Sequence, residues 1–190
     1  QYPLGGKGGN AHAEVMIYWN DQIRSDGDWP EAAHVDLQTG SISKLAIADI
    51  NQDERPDMVV SGGVKEMIGR DPTTGEETFQ YSGLLYVTAT DSRKWAAPQP
   101  ISGPKAKSMA LADLNHDGHP DAVLAQPGLT EDSVKILWGE AQKVFSEVPT
   151  ALPIGGASAV GVADLDADGN MDLVVGVERS PDGKTYQSSS

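Results

Sequence analysis

Short apolar runs recur along the chain and alternate with polar segments rich in Gly, Pro, Asp and Asn. Runs this short, rich in Val, Leu and Ile and bounded by turn residues, predict β-strands. The predicted strands cover residues 14–20, 32–37, 44–48, 58–61, 84–89, 95–101, 108–112, 122–125, 134–139, 144–148, 158–163 and 173–177. The pattern therefore predicts an all-β fold, preceded by a flexible lead-in over residues 1–13.

Three acidic segments interrupt this pattern, at residues 49–57, 113–121 and 164–172. Each reads D-x-[DN]-x-D-x-x-x-D, so oxygen-bearing side chains recur at positions 1, 3, 5 and 9. In a curled loop they converge with the backbone carbonyl of position 7, which suits calcium better than magnesium because the loop supplies nearly every ligand. The predicted ligands, with position 7 acting through its carbonyl, are Asp49, Asn51, Asp53, Arg55 and Asp57; Asp113, Asn115, Asp117, His119 and Asp121; and Asp164, Asp166, Asp168, Asn170 and Asp172.

Two other interpretations of the acidic segments compete with this one. An EF-hand begins with the same spacing but needs a Glu at position 12 and a helix on each side. Position 12 is Val60, Leu124 or Val175, within strand-like flanks, so the EF-hand interpretation fails. The other alternative is an acidic turn without metal, and the threefold occurrence of one carboxylate spacing favours a metal site over it.

The strand–DxDxDGxxD–strand arrangement, seen over residues 162–176, resembles the FG-GAP/VCBS repeat. The resemblance covers most of the chain, from about residue 15 to residue 176. It implies a calcium-binding β-propeller, as in integrin α-subunit heads and many bacterial surface proteins. The first loop departs from the family pattern because Glu54 replaces the Gly at position 6, where the turn needs a permissive backbone. Calcium is therefore expected least at the first loop.

The spacing of the loops defines a repeat whose four strands we name a to d, with the acidic loop between a and b. From Asp49 to Asp113 is 64 residues, and from Asp113 to Asp164 is 51. Matching Val87 with Trp138 places all 13 extra residues between strands b and c of the first repeat. Such units predict propeller blades. The expected division is a half-blade over residues 14–40, blades over 41–101 and 104–152, and a half-blade over 155–190.

These units amount to three blades, whereas closed propellers typically have about four to eight. The chain is therefore expected to be part of a larger ring, completed by further blades of the same chain or by another copy. Exposed half-blades would leave unpaired strand edges, which favours the longer chain. The first residue, Gln1, also indicates a processed or partial product.

The amino-acid composition excludes several classes of function. Of the 28 acidic residues, ten occupy predicted ligand positions, so the net charge of −14 belongs mainly to the loops. No Lys/Arg stripe is present to neutralise phosphates, which argues against nucleic acid. The sequence has no cysteine for disulfides or thiolate sites, and no apolar run long enough for membrane insertion. Millimolar calcium outside cells would fill such loops, which predicts an extracellular, cell-surface or periplasmic protein.

Other candidate chemistry is weaker. Residues 183–185 resemble the end of a phosphate-binding loop, but Glu178 stands where that motif requires glycine. His116 and His119 form H-x-x-H within the second loop, yet position 7 acts through its carbonyl, so the imidazole of His119 is expected to point to solvent.

The four tryptophans divide into two pairs. Trp19 and Trp138 occupy matching places on strand c and are expected to pack between blades, whereas Trp29 and Trp95 are candidates for stacking on sugar rings.

The sequence favours a recognition or adhesion module for a protein or glycan, and no residue set forms a catalytic site. The longer b–c connection, a polar segment over residues 62–82 with a turn signal at 71–75, is the expected recognition surface. Its alternative is an ordinary mobile loop. Alternatives for the whole chain are a propeller of a secreted polysaccharide-degrading enzyme and a structural subunit of a surface assembly. The candidate ligand-binding residues are Lys65, Arg70, Phe79, Tyr81, Arg179 and Tyr186.

Overall fold

The computed structural model describes residues 13–19, 33–39, 41–75, 77–126 and 133–178. Within these residues all regular secondary structure is β, and no helix is present. The strands are β1 (Ala13–Ile17), β2 (Ala33–Thr39), β3 (Ile42–Ala48), β4 (Asp57–Arg70), β5 (Glu77–Val87), β6 (Ala89–Asp91), β7 (Lys94–Trp95), β8 (Gln99–Ile101), β9 (Ser108–Ala112), β10 (Asp121–Ala125), β11 (Val134–Leu137), β12 (Gly139–Glu140), β13 (Lys143–Phe145), β14 (Thr150–Leu152), β15 (Ala157–Ala163) and β16 (Asp172–Val177).

Two four-stranded antiparallel sheets form the centre of the molecule, with strand orders β3-β4-β5-β8 and β9-β10-β11-β14. The two-stranded sheets β1–β2 and β15–β16 precede and follow them along the chain. In each four-stranded sheet a short hairpin, β6–β7 or β12–β13, lies between the third and fourth strands. This up-and-down order is that of a propeller blade, and it confirms the predicted all-β class with four-stranded blades.

Each four-stranded sheet packs against a neighbouring sheet on both of its faces. In β4, Met58 and Val60 belong to a core cluster shared with β2, whereas Val59 belongs to a cluster shared with the next blade. A third cluster joins β10 and β11 to β15 and β16. Because successive side chains of a strand point to opposite faces, both kinds of position must be apolar, which explains the continuous apolar runs in the sequence.

Buried serines and a glycine fix the spacing between blades at the end opposite the acidic loops. The Oγ of Ser61 accepts a hydrogen bond from the N–H of Ala106 at 2.8 Å, and that of Ser133 accepts one from the N–H of Ala157 at 2.9 Å. A Cβ at Gly83 would lie 2.3 Å from the backbone nitrogen of Lys105, so only glycine fits there. These contacts satisfy buried polar groups while holding two blades at one distance.

Residues 62–82 form a β-hairpin, so the predicted polar excursion is wrong except for its turn. β4 continues to Arg70 and pairs with β5, which begins at Glu77. The last partner of β3 on β4 is Gly62, so residues 63–82 form a two-stranded extension, which we name the b–c arm. Residues 63–82 lack the Val- and Leu-rich runs of the blade strands, and the apolar pattern therefore did not predict the arm.

The tip of the b–c arm is the turn predicted at residues 71–75. The Oδ1 of Asp71 accepts hydrogen bonds from the N–H groups of Thr73 at 2.7 Å and Thr74 at 3.0 Å. These bonds lower the pKa of Asp71, and the bond from Thr74 has the larger effect. An aspartate that closes a turn onto its own backbone is the behaviour that the sequence signal implied.

The strand predicted over residues 144–148 is also wrong. β13 ends at Phe145 and pairs with β12, and the fourth strand of this blade is β14, whose Leu152 pairs with Val134. The predicted segment lies across a hairpin and the turn that follows it. Val144 and Phe145 belong to the hairpin and Val148 is exposed after it, while the short strand with the sequence Thr-Ala-Leu carries little apolar signal of its own.

The repeat register of strand c is shifted by one residue from the prediction. Val87 pairs with Met58 and Leu137 pairs with Ala122, so Val87 corresponds to Leu137 and not to Trp138. The b–c connection of the first complete blade is therefore longer by 14 residues, and a later segment is shorter by one. A one-residue shift moves a side chain to the opposite face of a sheet, so Trp138 corresponds to Thr88 of the first complete blade. The match between Trp138 and Trp19 stays a prediction.

The tryptophans in the described residues pack between elements. Trp19 stacks on Trp95 of β7 with ring centroids 5.8 Å apart, and the guanidinium of Arg93 lies 4.5 Å from the Trp19 ring. Trp138 packs against the third core cluster, and its Nε1–H donates to Thr150 at 2.8 Å. The ring of Trp95 therefore contacts protein where the sequence suggested a sugar, and Trp29 lies outside the described residues.

Candidate metal centre

The three acidic loops each join the first two strands of a sheet and share one hydrogen-bond pattern. The position-1 aspartate accepts bonds from the N–H groups of positions 5 and 6, at 3.0 and 2.8 Å for Asp49, 3.1 and 2.9 Å for Asp113, and 3.1 and 3.0 Å for Asp164. The position-5 carboxylates accept from the N–H of position 7 at 3.0, 2.8 and 2.7 Å in chain order. Each loop therefore curls around its own carboxylates.

Two residues of each loop have a left-handed backbone. Position 4 has φ between 59° and 61° in all three loops. Position 6 has φ of 64° at Glu54, 88° at Gly118 and 92° at Gly169. A side chain in this region costs roughly 1–2 kcal/mol relative to the right-handed conformation. Glu54 thus follows the path of the two glycines at an energetic cost that they do not have.

The position-9 aspartates of the first two loops connect these loops to the residues that follow the third strands. Asp57 and Asp121 are fully buried, and their Oδ1 atoms accept bonds from the N–H groups of Ala89 at 2.8 Å and Gly139 at 2.7 Å. Their Oδ2 atoms accept from the N–H of position 2 at 3.3 and 2.8 Å. Burial raises the pKa of Asp121 while these two bonds oppose the rise. The sequence pattern predicts only metal ligation for these residues and does not reveal this structural role.

The third loop brings three carboxylates together. One oxygen each of Asp164, Asp166 and Asp172 lies within 4.8 Å of the others, the one such cluster among the described residues. Like charges this close repel, and a hard divalent cation between them would reverse that repulsion. The donor set of this loop therefore fits a calcium-like ion.

The second loop, like the first, has asparagine at position 3. The Nδ2 of Asn115 donates to Asp117 at 2.9 Å, and the corresponding bond from Asn51 to Asp53 is 3.2 Å. Both asparagines also present their Oδ1 to the N–H of position 5 at 3.1 Å. The position-3 oxygen therefore lies inside the loop in both cases, but with one negative charge fewer than in the third loop.

The first loop also receives protein groups that the third does not. Nη2 of Arg55 lies 3.3 Å from Oδ2 of Asp53, and the hydroxyl of Tyr86 donates to Oδ2 of Asp57 at 2.7 Å. Burial and the bond to Asp57 raise the pKa of Tyr86. The first loop thus has a cation and a hydroxyl donor from the chain itself at two of its predicted ligand positions.

Two position-5 carboxylates have a lowered pKa. For Asp117 the main cause is the N–H of His119, and for Asp168 it is the side-chain amide of Asn170. Both carboxylates therefore remain ionised to lower pH than a free aspartate, in the form that a metal ion requires.

Neighbouring loops contact each other directly. Nε2 of Gln52 donates to the carbonyl of Gly118 at 2.6 Å and lies 2.8 Å from Nδ1 of His119. Nε2 of His116 lies 3.1 Å from Oδ1 of Asn170. The imidazole of His119 therefore binds the neighbouring loop, and the expectation that it points to solvent is wrong. Packing of adjacent blades, which sequence spacing does not reveal, brings these loops side by side.

The predicted ligand-binding residues belong mostly to the b–c arm. Lys65 and Tyr81 are backbone partners in its ladder, and Phe79 pairs with Met67. Arg70 is exposed at the end of β4, where its Nε donates to the carbonyl of Gly75 at 3.3 Å. The side chains of Lys65, Phe79 and Tyr81, and the whole of Arg179 and Tyr186, lie outside the described residues.

The FG-GAP-like repeat matches residues 113–175, from position 1 of the second acidic loop into β16. The chain is also similar to human integrin alpha-7, with 31% identity over 157 residues. The chain belongs to the FG-GAP repeat family. The alignment covers 74% of this chain and 12% of integrin alpha-7, so this FG-GAP protein corresponds to a small part of that relative.

Among the described residues, no helix is long and apolar enough to cross a membrane.

Proposed function

We propose that this chain is part of an extracellular β-propeller that binds calcium in its acidic loops and recognises a protein or glycan ligand. The observation that carries the proposal is the threefold repetition of one loop geometry, which in the third loop gathers three carboxylates. The similarity to integrin alpha-7 supports an adhesion role at the cell surface. Calcium concentrations outside cells suit sites of this type.

The third loop has the most suitable ligand set. Asp164, Asp166, Asp168 and Asp172, with the carbonyl of Asn170, would supply oxygen ligands to one ion. Bound calcium would offset the repulsion among these carboxylates and hold the turn between β15 and β16. The second loop has Asn115 in place of one carboxylate, and the first loop has competing protein donors. We therefore expect calcium affinity to be highest at the third loop, lower at the second and lowest at the first.

Thermal unfolding in calcium, in magnesium and in a calcium chelator tests this part of the proposal. Each filled site adds roughly 2.7 kcal/mol to the free energy of unfolding when calcium exceeds its dissociation constant about a hundredfold. Magnesium should stabilise less, because it keeps several of its own waters. An identical melting temperature in calcium and in chelator would reject calcium binding.

The ring is proposed to continue beyond these sheets. At position 2 of the acidic loops, Ile50 lies in the cluster shared with the next blade, whereas Leu165 is 67% exposed. A following blade would cover Leu165 as the second complete blade covers Ile50. We keep the proposed division into units 14–40, 41–101, 104–152 and 155–190, with further blades from the same polypeptide. The alternative is a ring completed by a second copy of the chain. Sedimentation velocity tests it, because such a ring would sediment as a dimer.

Recognition is proposed to use the b–c arm, with Lys65, Arg70, Phe79 and Tyr81 as contact residues and with Arg179 and Tyr186 of the third blade as further candidates. The arm is the main difference between the two complete blades, and it extends beyond the paired sheet. Segments that differ in this way commonly carry binding function.

Replacing the arm tests this assignment. A variant in which residues 65–81 are exchanged for the short connection between β10 and β11 should retain its melting temperature in calcium. Its binding to a glycan array and to a panel of purified extracellular-matrix glycoproteins should fall relative to the parent chain. Arg70→Ala is the matched control. It keeps the hairpin and removes one proposed contact side chain. Undiminished binding after the exchange would move the recognition site elsewhere.

A further inference from the structure

Adjacent acidic loops are joined twice by the same positional contact. The side chain at position 4 of one loop reaches the peptide or side chain at positions 6 and 7 of the next. Gln52 makes this contact from the first loop to the second, and His116 makes it from the second loop to the third. In the third loop position 4 is Ala167, whose methyl group has no polar atom to extend the series.

These contacts end on groups directly adjacent to those proposed to hold the ion. The peptide between Gly118 and His119 is fixed from both sides, because its carbonyl accepts from Gln52 at 2.6 Å and its N–H donates to Asp117 at 2.8 Å. His119 supplies this N–H, and the carbonyl of the same residue is the proposed ligand. A change in the position of Gln52 therefore acts on a peptide adjacent to the second site.

The contact between the second and third loops ends on the amide of Asn170, which in turn binds a carboxylate. Oδ1 of Asn170 accepts from His116 at 3.1 Å, and Nδ2 of the same amide donates to Asp168 at 3.0 Å. The amide of Asn170 thus connects position 4 of one loop to the position-5 ligand of the next. Position 4 itself lies between positions 3 and 5 of its own loop, with φ of 59° at His116, so it is held between two proposed ligands.

We propose that Gln52 and His116 couple the metal loops, so that calcium in one loop raises the affinity of its neighbour. This inference rests on the calcium binding proposed above and adds that the sites are not independent. Ion binding draws positions 3 and 5 together and fixes position 4, which then orients position 7 of the next loop. By thermodynamic reciprocity the neighbour has the same effect in return.

The expected coupling is modest, because each contact is an exposed hydrogen bond between side chains or to a carbonyl. Loss of one such bond changes an equilibrium constant by roughly two- to tenfold. Gln52 contacts two acceptors and His116 contacts one. We therefore expect the larger change in calcium affinity between the first and second loops.

The backbone amides of Gly118 and Gly169 give one reporter for each of two loops. Their N–H groups donate to Asp113 at 2.9 Å and Asp164 at 3.0 Å, so their NMR signals should follow calcium in their own loop. Calcium titrations of the full 190-residue chain by NMR then give a midpoint for each site. The design is a double-mutant cycle of Asp164→Ala and His116→Ala.

In the parent chain, Asp164→Ala should raise the calcium midpoint of Gly118 by roughly two- to tenfold, although Gly118 lies in another loop. In the His116→Ala background, Asp164→Ala should leave that midpoint unchanged. His116→Gln is the matched control, because it places at position 4 the amide that Gln52 supplies in the first loop. It should therefore restore the dependence of Gly118 on Asp164.

Two results would overturn the coupling. One is a Gly118 midpoint that is the same with and without Asp164, and the other is a shift that persists at full size in His116→Ala. If neither glycine responded to calcium at all, the proposed calcium binding would fail and the coupling with it. A response of both glycines without mutual dependence would keep calcium binding and reject only the coupling.

Discussion

In the first acidic loop, Asp57 is fully buried and accepts bonds from the hydroxyl of Tyr86 and the N–H of Ala89. In the third loop the corresponding Asp172 is partly exposed and lies within 4.8 Å of two other carboxylates. The two loops have the same backbone hydrogen bonds between positions 1, 5 and 6. They differ in the groups that stabilise their charges.

The comparison indicates that one turn can be stabilised in two ways. In the first loop the guanidinium of Arg55, the hydroxyl of Tyr86 and burial of Asp57 stabilise the loop from within the chain. In the third loop the converging carboxylates repel each other until an ion binds. The first loop should therefore contribute most to stability without calcium, and the third should contribute most with it.

The largest expected effect separates the two position-9 aspartates in calcium-free solution. Asp57→Ala leaves the hydroxyl of Tyr86 and the N–H of Ala89 as buried donors without an acceptor, which should cost roughly 2–5 kcal/mol of unfolding free energy. Asp172→Ala, at a more exposed site, should cost less than about 1 kcal/mol. Urea denaturation in chelator measures both. Equal losses would show that burial of Asp57 does not stabilise the first loop.

The next effect concerns calcium itself. Asp168→Ala should weaken calcium binding more than Asp53→Ala, because the third loop has four carboxylates whereas Asp53 is already paired with Arg55. At about a hundredfold excess of calcium, loss of the third site removes roughly 2.7 kcal/mol of stabilisation. Isothermal titration of the two variants and the parent chain measures this. Tightest binding at the first site would reverse the proposed ranking.

A smaller effect should follow from removing the backbone strain at position 6. Glu54→Gly relieves a left-handed side-chain position and should stabilise the chain by about 1 kcal/mol or less, since glycine also loses more freedom on folding. Gly169→Ala imposes the opposite change on the third loop and should destabilise by a similar amount. Chemical denaturation of the pair tests the comparison, and a loss of stability in Glu54→Gly would contradict it.

The smallest effect is a shift in one titration. Asn170→Ala removes the amide that favours the ionised form of Asp168, so the pKa of Asp168 should rise toward its ordinary value. A folded-state pKa below the unfolded value contributes stability above the unfolded pKa, which is lost as pH falls through the folded pKa. The variant should therefore lose this contribution at a higher pH. NMR titration of the Asp168 carboxyl without calcium measures the shift, and an unchanged pKa would contradict its assigned cause.

Local sequence signals predicted the acidic loops well. The position-1 aspartate bonds to N–H groups four and five residues later, so the D-x-[DN]-x-D spacing itself determines the backbone path. Apolar runs predicted most blade strands for a similar reason, since both faces of β10 are buried. Metal ligation by these loops stays a prediction.

Features that depend on long-range contacts could not be predicted in this way. Ser61 bonds to Ala106 and Gln52 bonds to Gly118, and neither partner is marked by spacing or composition. The b–c arm was missed because it is defined by the pairing of β4 with β5, which its mixed polar and apolar sequence does not reveal. The one-residue error at Trp138 arose because strand pairing, and not the distance to the next acidic loop, determines register.

The b–c arm also determines how far a bound ligand lies from the charge of the blades. Its eight residues from 63 to 70 extend about 25 Å beyond the last pairing with β3, at about 3.3 Å per residue. The Debye length at physiological ionic strength is about 8 Å. A ligand at residues 71–75 would therefore be largely screened from the acidic loops, although the chain carries a net charge of −14. The salt dependence of binding at the tip should then reflect charges of the tip itself, such as Arg70 and Asp71, and not those of the acidic loops.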